Sequence, residues 1–178
     1  MDECMLVKPD ESMLGDVQAY REEFLAAGSS MDGTGLLRRF ERAEDWLEFT
    51  RLLENPETVP ENWVASDQFV YLRASDRKIV GMIQFRREFN DFIRDFGGHI
   101  GYSVRPSERR KGYATRMLAA CLAVVRDFEL PRALVTCEAG NEFSRRTILA
   151  NGGVYERAVY CARDDVTLER YWIPFKTN

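Results

Sequence analysis

A chain of 178 residues is long enough to bury one substantial core and short enough to leave little room for a second, so a single domain over residues 1–178 is expected. Apolar residues make up 45% and charged residues 30%, the balance of a soluble globular protein; no apolar run approaches the roughly 20 residues of a membrane span, which excludes an integral helical membrane protein. The net charge of −4, spread along the chain, removes any global electrostatic reason to expect a nucleic-acid partner.

The stretch from Met1 to Pro9 lacks a basic segment followed by a long apolar one, so no secretory signal is expected and the cytoplasm is the default location. Residues 5–7 are apolar and closed by Pro9, which predicts a first strand. Over 10–27, Leu14, Val17, Phe24 and Leu25 recur at helical spacing, and Gly28 stands where a C-cap would. Residues 29–35 are the most loop-like of the chain, and 43–55 then carry Trp46, Phe49, Leu52 and Leu53 on one helical face, stopped by Pro56 and Pro60. The runs 69–72 and 79–85 predict an antiparallel hairpin joined by the polar turn Ser75-Asp76-Arg77-Lys78.

Residues 86–98, with Phe89, Phe92 and Phe96, lack a period and predict a loop near a site. Residues 99–104 form a fourth strand, ended by Arg105-Pro106 because proline cannot donate to a ladder. The cleanest helical pattern lies in 114–128, where Ala114, Met117, Leu118, Cys121, Leu122 and Val125 share one face. After Pro131 come a fifth strand at 133–137, a short helix at 141–151 closed by Gly152-Gly153, and two strands at 154–162 and 166–175. Cys4, Cys121, Cys137 and Cys161 lie far apart and read as reduced, mostly buried thiols; with one histidine and no ligand-spaced cysteines, no metal is implied.

Chemistry concentrates in Arg109-Arg110-Lys111-Gly112-Tyr113-Ala114, between a strand and the first turn of the most amphipathic helix. A helix start presents unpaired N–H groups and partial positive charge, a natural seat for phosphate oxygens. Gly112 lets an anion approach the backbone, and the cations add charge complementarity. Three cations before a helix also read as a solvated face, so the spacing has to decide. The segment resembles the R/Q-x-x-G-x-G/A signature of the GNAT superfamily of acetyltransferases, preceded as in that family by a strand, here Ile100-Gly101-Tyr102-Ser103-Val104. Downstream, Asn141-x-x-Ser144 and Gly152-Gly153 resemble the family's N-x-x-A/S-x-x-x-Y-x-x-x-G-F run. The order of elements agrees over residues 5–175, most specifically between His99 and Gly153.

The resemblance implies an α/β (α+β) fold: a mixed, mostly antiparallel sheet of about seven strands, the fourth and fifth splayed, flanked by about four helices. It implies acetyl-CoA as cosubstrate. The pantetheine arm would pair with Tyr102, Ser103 and Val104, and the pyrophosphate would sit on backbone N–H groups of Arg110, Lys111, Gly112, Tyr113, Ala114 and Thr115. Arg109 or Lys111 would stand near the phosphates, and Asn141 and Ser144 would face the arm. The implied activity is acetyl transfer to a primary amine of a small molecule or peptide, by direct attack in a ternary complex, in a monomer or homodimer. No nucleic acid or membrane enters as a partner.

Two departures qualify the resemblance. The family's tyrosine, often the proton donor to the leaving thiolate, falls at Ile148, and the phenylalanine after the glycine is Gly153. Either another group donates, with Ser144 nearest by spacing, or the thiolate leaves unprotonated, or the chain is a non-catalytic acetyl-CoA/CoA-binding module. A general base is expected for an amine with a pKa of about 10.4. His99, the only histidine, and Glu138, just past the fifth strand, are the first candidates, and Glu88 and Asp91 come after them. Phe89, Phe92, Phe96, Tyr171 and Trp172 are candidates for an acceptor pocket, although aromatics on strands more often fill cores. In such proteins the connection between the first two helices, here residues 28–42, shapes the acceptor cleft.

Overall fold

The computed structural model describes residues 2–175. Seven strands form one sheet: β1 (Cys4–Val7), β2 (Ser66–Arg73), β3 (Ile79–Arg86), β4 (Ile100–Val104), β5 (Arg132–Glu138), β6 (Val154–Cys161) and β7 (Val166–Pro174). Four helices flank it: α1 (Leu14–Ala26), α2 (Ala43–Glu54), α3 (Tyr113–Val125) and α4 (Glu142–Ala150). The spatial order is β1-β2-β3-β4-β5-β7-β6, and every neighbouring pair is antiparallel except β4 and β5. Among the described residues no helix is long and apolar enough to cross a membrane.

Both faces of the central strands are covered, which is why β2 and β3 read as continuous apolar runs rather than alternating ones. Phe69, Tyr71, Val80, Ile83 and Phe85 pack against the α3 face, on Met117, Leu118, Cys121 and Val125. Val70, Leu72, Ile79 and Met82 point the other way, to Val17, Tyr20 and Phe24 of α1 and Trp46 and Leu47 of α2. Burying each such side chain contributes roughly 1.5–3 kcal/mol. The first helix ends at a glycine: Ser29 N–H donates to Phe24 O at 3.2 Å and Gly28 N–H to Leu25 O at 3.1 Å, closing α1 on itself.

Three departures from the sequence reading have physical causes. β2 starts at Ser66, ahead of the apolar run, because Asp67 and Gln68 are buried with partners: Asp67 meets Lys8 and Arg87, each at 2.7 Å, and Gln68 Nε2 donates to Gly33 O at 3.0 Å. The first helix begins at Leu14, because Asp10 caps a short 3-10 turn, accepting from Ser12 N–H at 2.8 Å. The irregular segment before β4 holds one π-helical turn, Ile93–Gly97.

Candidate active site

β3 and β4 share five registered pairs and β5 and β7 share seven, whereas β4 and β5 share one, Ile100 with Val135. The two strands are stitched only at that end. His99 N–H donates to Leu134 O at 2.8 Å, and Leu134 N–H donates to His99 Nδ1, also at 2.8 Å. The imidazole thus stands in for a missing backbone acceptor, and beyond it the strands part into a cleft of about 1280 Å³. That volume exceeds the usual upper size of a single small-molecule pocket, about 1,000 Å³.

One half of the cleft ends at the start of α3. Its N-cap is Gly112, no side chain caps it, and Tyr113, Ala114 and Thr115 line the cleft with first-turn N–H groups that a helix cannot satisfy itself. Arg110 and Gly112 both adopt left-handed backbone, with φ of 64° and 76°, which tightens the turn. Glu108, Arg109 and Arg110 line the cleft, and Lys111, which is not among the cleft residues, pairs with Glu108 at 2.7 Å. Glu108 also meets Arg73 at 2.9 Å and Lys78 at 3.0 Å; burial pushes its carboxyl up, but Lys111, Arg73 and Lys78 hold it down at about 2. Lys111 therefore anchors the turn through Glu108, and Arg109 supplies cleft-facing charge, its Nη2 donating to Ser29 Oγ at 2.7 Å.

At mid-cleft, Tyr102 of β4 and Ser144 of α4 meet across the gap, with Tyr102 Oη and Ser144 Oγ 2.8 Å apart. Burial pushes the Tyr102 phenol up to about 12, so it stays protonated at neutral pH. Asn141 lines the cleft while its Oδ1 caps α4, accepting from Ser144 N–H at 3.1 Å. Ser103 also lines the cleft, but its Oγ lies 3.1 Å from Tyr20 Oη beneath the sheet. Ile148 is fully buried in the core against α3. It accounts for the second departure too, since a Cβ on residue 153 would lie 2.4 Å from Ile148 Cγ2 and only glycine fits.

The other half is built by the loop between α1 and α2, the end of β3 and the segment before β4. Gly33, at φ 68°, is pressed onto β4 so closely that a Cβ would lie 2.0 Å from Gly101 O. Trp46 Nε1 fixes the loop by donating to Thr34 O at 2.6 Å. Asp32, Arg86 and Phe92 line this half, as does Glu138, exposed at the end of β5. The sequence reading nominated Phe92 and Glu138 and missed Asp32 and Arg86. His99 is not among the cleft residues: it is 6% exposed, lies 4.1 Å from the Phe89 ring, and burial and then the Arg86 charge pull its pKa down to about 4. Its Nδ1 is taken up by Leu134 N–H, so its observed contacts hold the β4–β5 seam rather than face the cleft. Glu88 and Asp91 lie outside the cleft, Asp91 pairing with Arg94 at 2.8 Å. Tyr171 is core, and Trp172 stacks under Arg132 at 4.0 Å.

A sheet held open between two parallel strands, with an uncapped helix start at the mouth of the gap, leaves a slot whose unpaired N–H groups suit an anion. The chain belongs to the GNAT acetyltransferase family: the model of the acetyltransferase (GNAT) domain matches residues 16–154. Solved structures agree in fold. The GNAT-family acetyltransferase from Bacillus anthracis is 20% identical, with a TM-score of 0.66 over 98% of this chain and 96% of that one. The microcin C7 self-immunity acetyltransferase MccE, solved with acetyl-CoA and AMP, is 16% identical, with a TM-score of 0.72 over 98% and 94%. The ribosomal-protein-S5-alanine acetyltransferase from Vibrio fischeri is 18% identical, with a TM-score of 0.71 over 98% and 94%. At these identities the likeness is one of fold. No curated protein matches the chain in sequence.

Proposed function

We propose that the chain is an acetyl-CoA-dependent N-acetyltransferase that moves an acetyl group to a primary amine within a ternary complex. The observation that carries this reading is the continuity of one cleft from the free N–H groups of α3, along the parted edge of β4, to the loop packed on Gly101. Such a cleft has room for a coenzyme and an acceptor together. Structural neighbours described as acetyltransferases of spermidine, from Vibrio cholerae, and of ribosomal proteins support an amine as the acceptor. The four described cysteines are unpaired, three of them buried, which fits the reducing cytoplasm.

The α3 amides and Arg109 would hold the diphosphate, and the unpaired edge of β4 from Tyr102 to Val104 would pair with the pantetheine arm. Acetyl-CoA brings an already activated acyl group, so positioning does most of the work. The acceptor nitrogen bonds to the acetyl carbon as the carbon–sulfur bond breaks; the ammonium proton leaves to a base, and the thiolate takes one up. Glu138 is the nominated base that reaches the cleft, directly or through water. Ser144, its hydroxyl joined to the Tyr102 phenol, is the donor in place of the family's tyrosine.

The test is thiol release from acetyl-CoA by purified protein over a panel of primary amines. Ser144→Ala is expected to lower kcat about 100-fold while leaving the KM for acetyl-CoA unchanged. Tight coenzyme binding with no thiol release from any amine would instead support the non-catalytic module, which Ile148 at the usual acid position favours.

A further inference from the structure

The partly buried arginines of this sheet come with carboxylates. Arg73 has Asp76 and Glu108, Arg87 has Asp67, Arg105 has Asp16 at 2.8 Å, and Arg170 has Glu156 at 2.6 Å. Arg86 breaks the pattern. Its Nη1 donates to the carbonyls of Gly97 at 3.2 Å and Gly98 at 3.1 Å, and among the described residues it makes no ion pair and no hydrogen bond through Nε or Nη2. A cation taken out of water without a counter-charge is costly, and here burial draws the guanidinium down to about 10, still charged at neutral pH.

The free edge of that guanidinium faces the acceptor half. A Cβ built on Gly101 would lie 3.4 Å from Arg86 Nη2 and 3.2 Å from Gly33 N, so the guanidinium and the Gly33 backbone converge where two glycines leave no side chain. Asp32 adjoins this spot on the cleft wall. Its charge is felt by Arg86, yet the two form no ion pair, and its one described hydrogen bond comes from Ser30 Oγ at 2.9 Å. Opposite charges held near each other but apart suit a ligand that carries both.

We propose that Arg86 binds an anionic group of the acceptor, so that the acceptor is a small primary amine bearing a carboxylate or a phosphate. This rests on the acetyltransferase reading and narrows it. A bare polyamine would bring a second cation against Arg86, and a neutral amine would leave the fork unpaired. The carboxylate and the phosphate share the chemistry of a planar donor fork meeting paired oxygens.

The experiment compares matched amines with acetyl-CoA: amino acids against their amides, O-phosphoethanolamine against ethanolamine, and butane-1,4-diamine. The anionic member of a pair is expected to lead by about 100-fold or more in kcat/KM. Whichever anionic arm responds names the anion. Arg86→Gln should abolish that preference, and Arg86→Lys, which keeps the charge but not the fork, should restore part of it; the KM for acetyl-CoA should stay unchanged in both. Equal or better turnover of amides, ethanolamine or the diamine overturns the proposal while leaving the acetyltransferase reading intact, as does an equal loss on both members in Arg86→Gln. If no amine releases thiol, calorimetry on coenzyme A-saturated wild type reads the site without turnover. Binding of the anionic members alone, lost in Arg86→Gln, supports it, and no heat from any of them sinks it.

Discussion

The two halves of the cleft are built from different materials. The half at α3 is mostly main chain: residues 109–115 are contiguous, their left-handed turns and uncapped amides lie within one helix start, Arg109 adds charge, and Lys111 is tied to Glu108. The half facing Arg86 is side chain, assembled from the α1–α2 loop, the end of β3, the segment before β4 and the end of β5. A backbone device tolerates change in its side chains. A side-chain device brought together from four segments can be retuned for each acceptor, and its integrity depends on how tightly those segments dock.

The sharpest way to break the contrast is to undock one half. Gly33→Ala places a methyl group 2.0 Å from the Gly101 carbonyl oxygen, at a residue whose φ of 68° already disfavours a side chain. The loop is expected to lift, with a loss of about 3 kcal/mol or more in chemical denaturation. Amine kcat/KM should fall while coenzyme affinity, measured by calorimetry, is largely kept. Equal losses on both sides would mean that the halves are one unit. The converse change is Ala114→Glu, a carboxylate in the first turn of α3 and on the cleft wall. An acidic residue there favours the helix, so stability should hold, while repulsion of the diphosphate lowers coenzyme affinity by about 100-fold in the same calorimetric titration.

The same contrast explains what could be read from the chain. α3 was legible from its apolar period, bounded by Gly112 and Pro131, and α4 because its Asn141 cap and closing Gly152-Gly153 lie within a dozen residues. Residues 109–115 were legible as a helix start for that reason. The sequence leaves open whether Arg109 or Lys111 stands near the phosphates, although Glu108 lies three residues before Lys111, a spacing that pairs charges on one turn; that Arg73 and Lys78 converge on the same carboxylate is tertiary information. Asp67 and Gln68 hid the start of β2, since a polar residue looks exposed until its buried partners are known. Asp32 and Arg86 carry no local signal at all. They are 54 positions apart, and only the close approach of Gly33 to Gly101 brings them to one wall.

His99 belongs to neither half: it closes the end they share, and that gives the smallest but most specific prediction. Its Nδ1 accepts from Leu134 N–H, so protonation there would set two donors against each other at the end where, among the described residues, β4 and β5 are paired. In the folded protein the ring stays neutral down to about pH 4, because burial first and the Arg86 charge second disfavour the imidazolium. Unfolded, it takes a proton near pH 6.5. The unfolded state therefore binds more protons between these values, and stability is complete above about pH 6.5 and falls as the pH drops toward 4. Between pH 7 and pH 5 the contribution lost is about 2 kcal/mol. His99→Gln, whose amide oxygen can accept from Leu134 without titrating, should lose that much less over the same interval in paired denaturation curves. A variant that follows the wild-type pH dependence would show that the seam between the strands does not depend on a neutral imidazole.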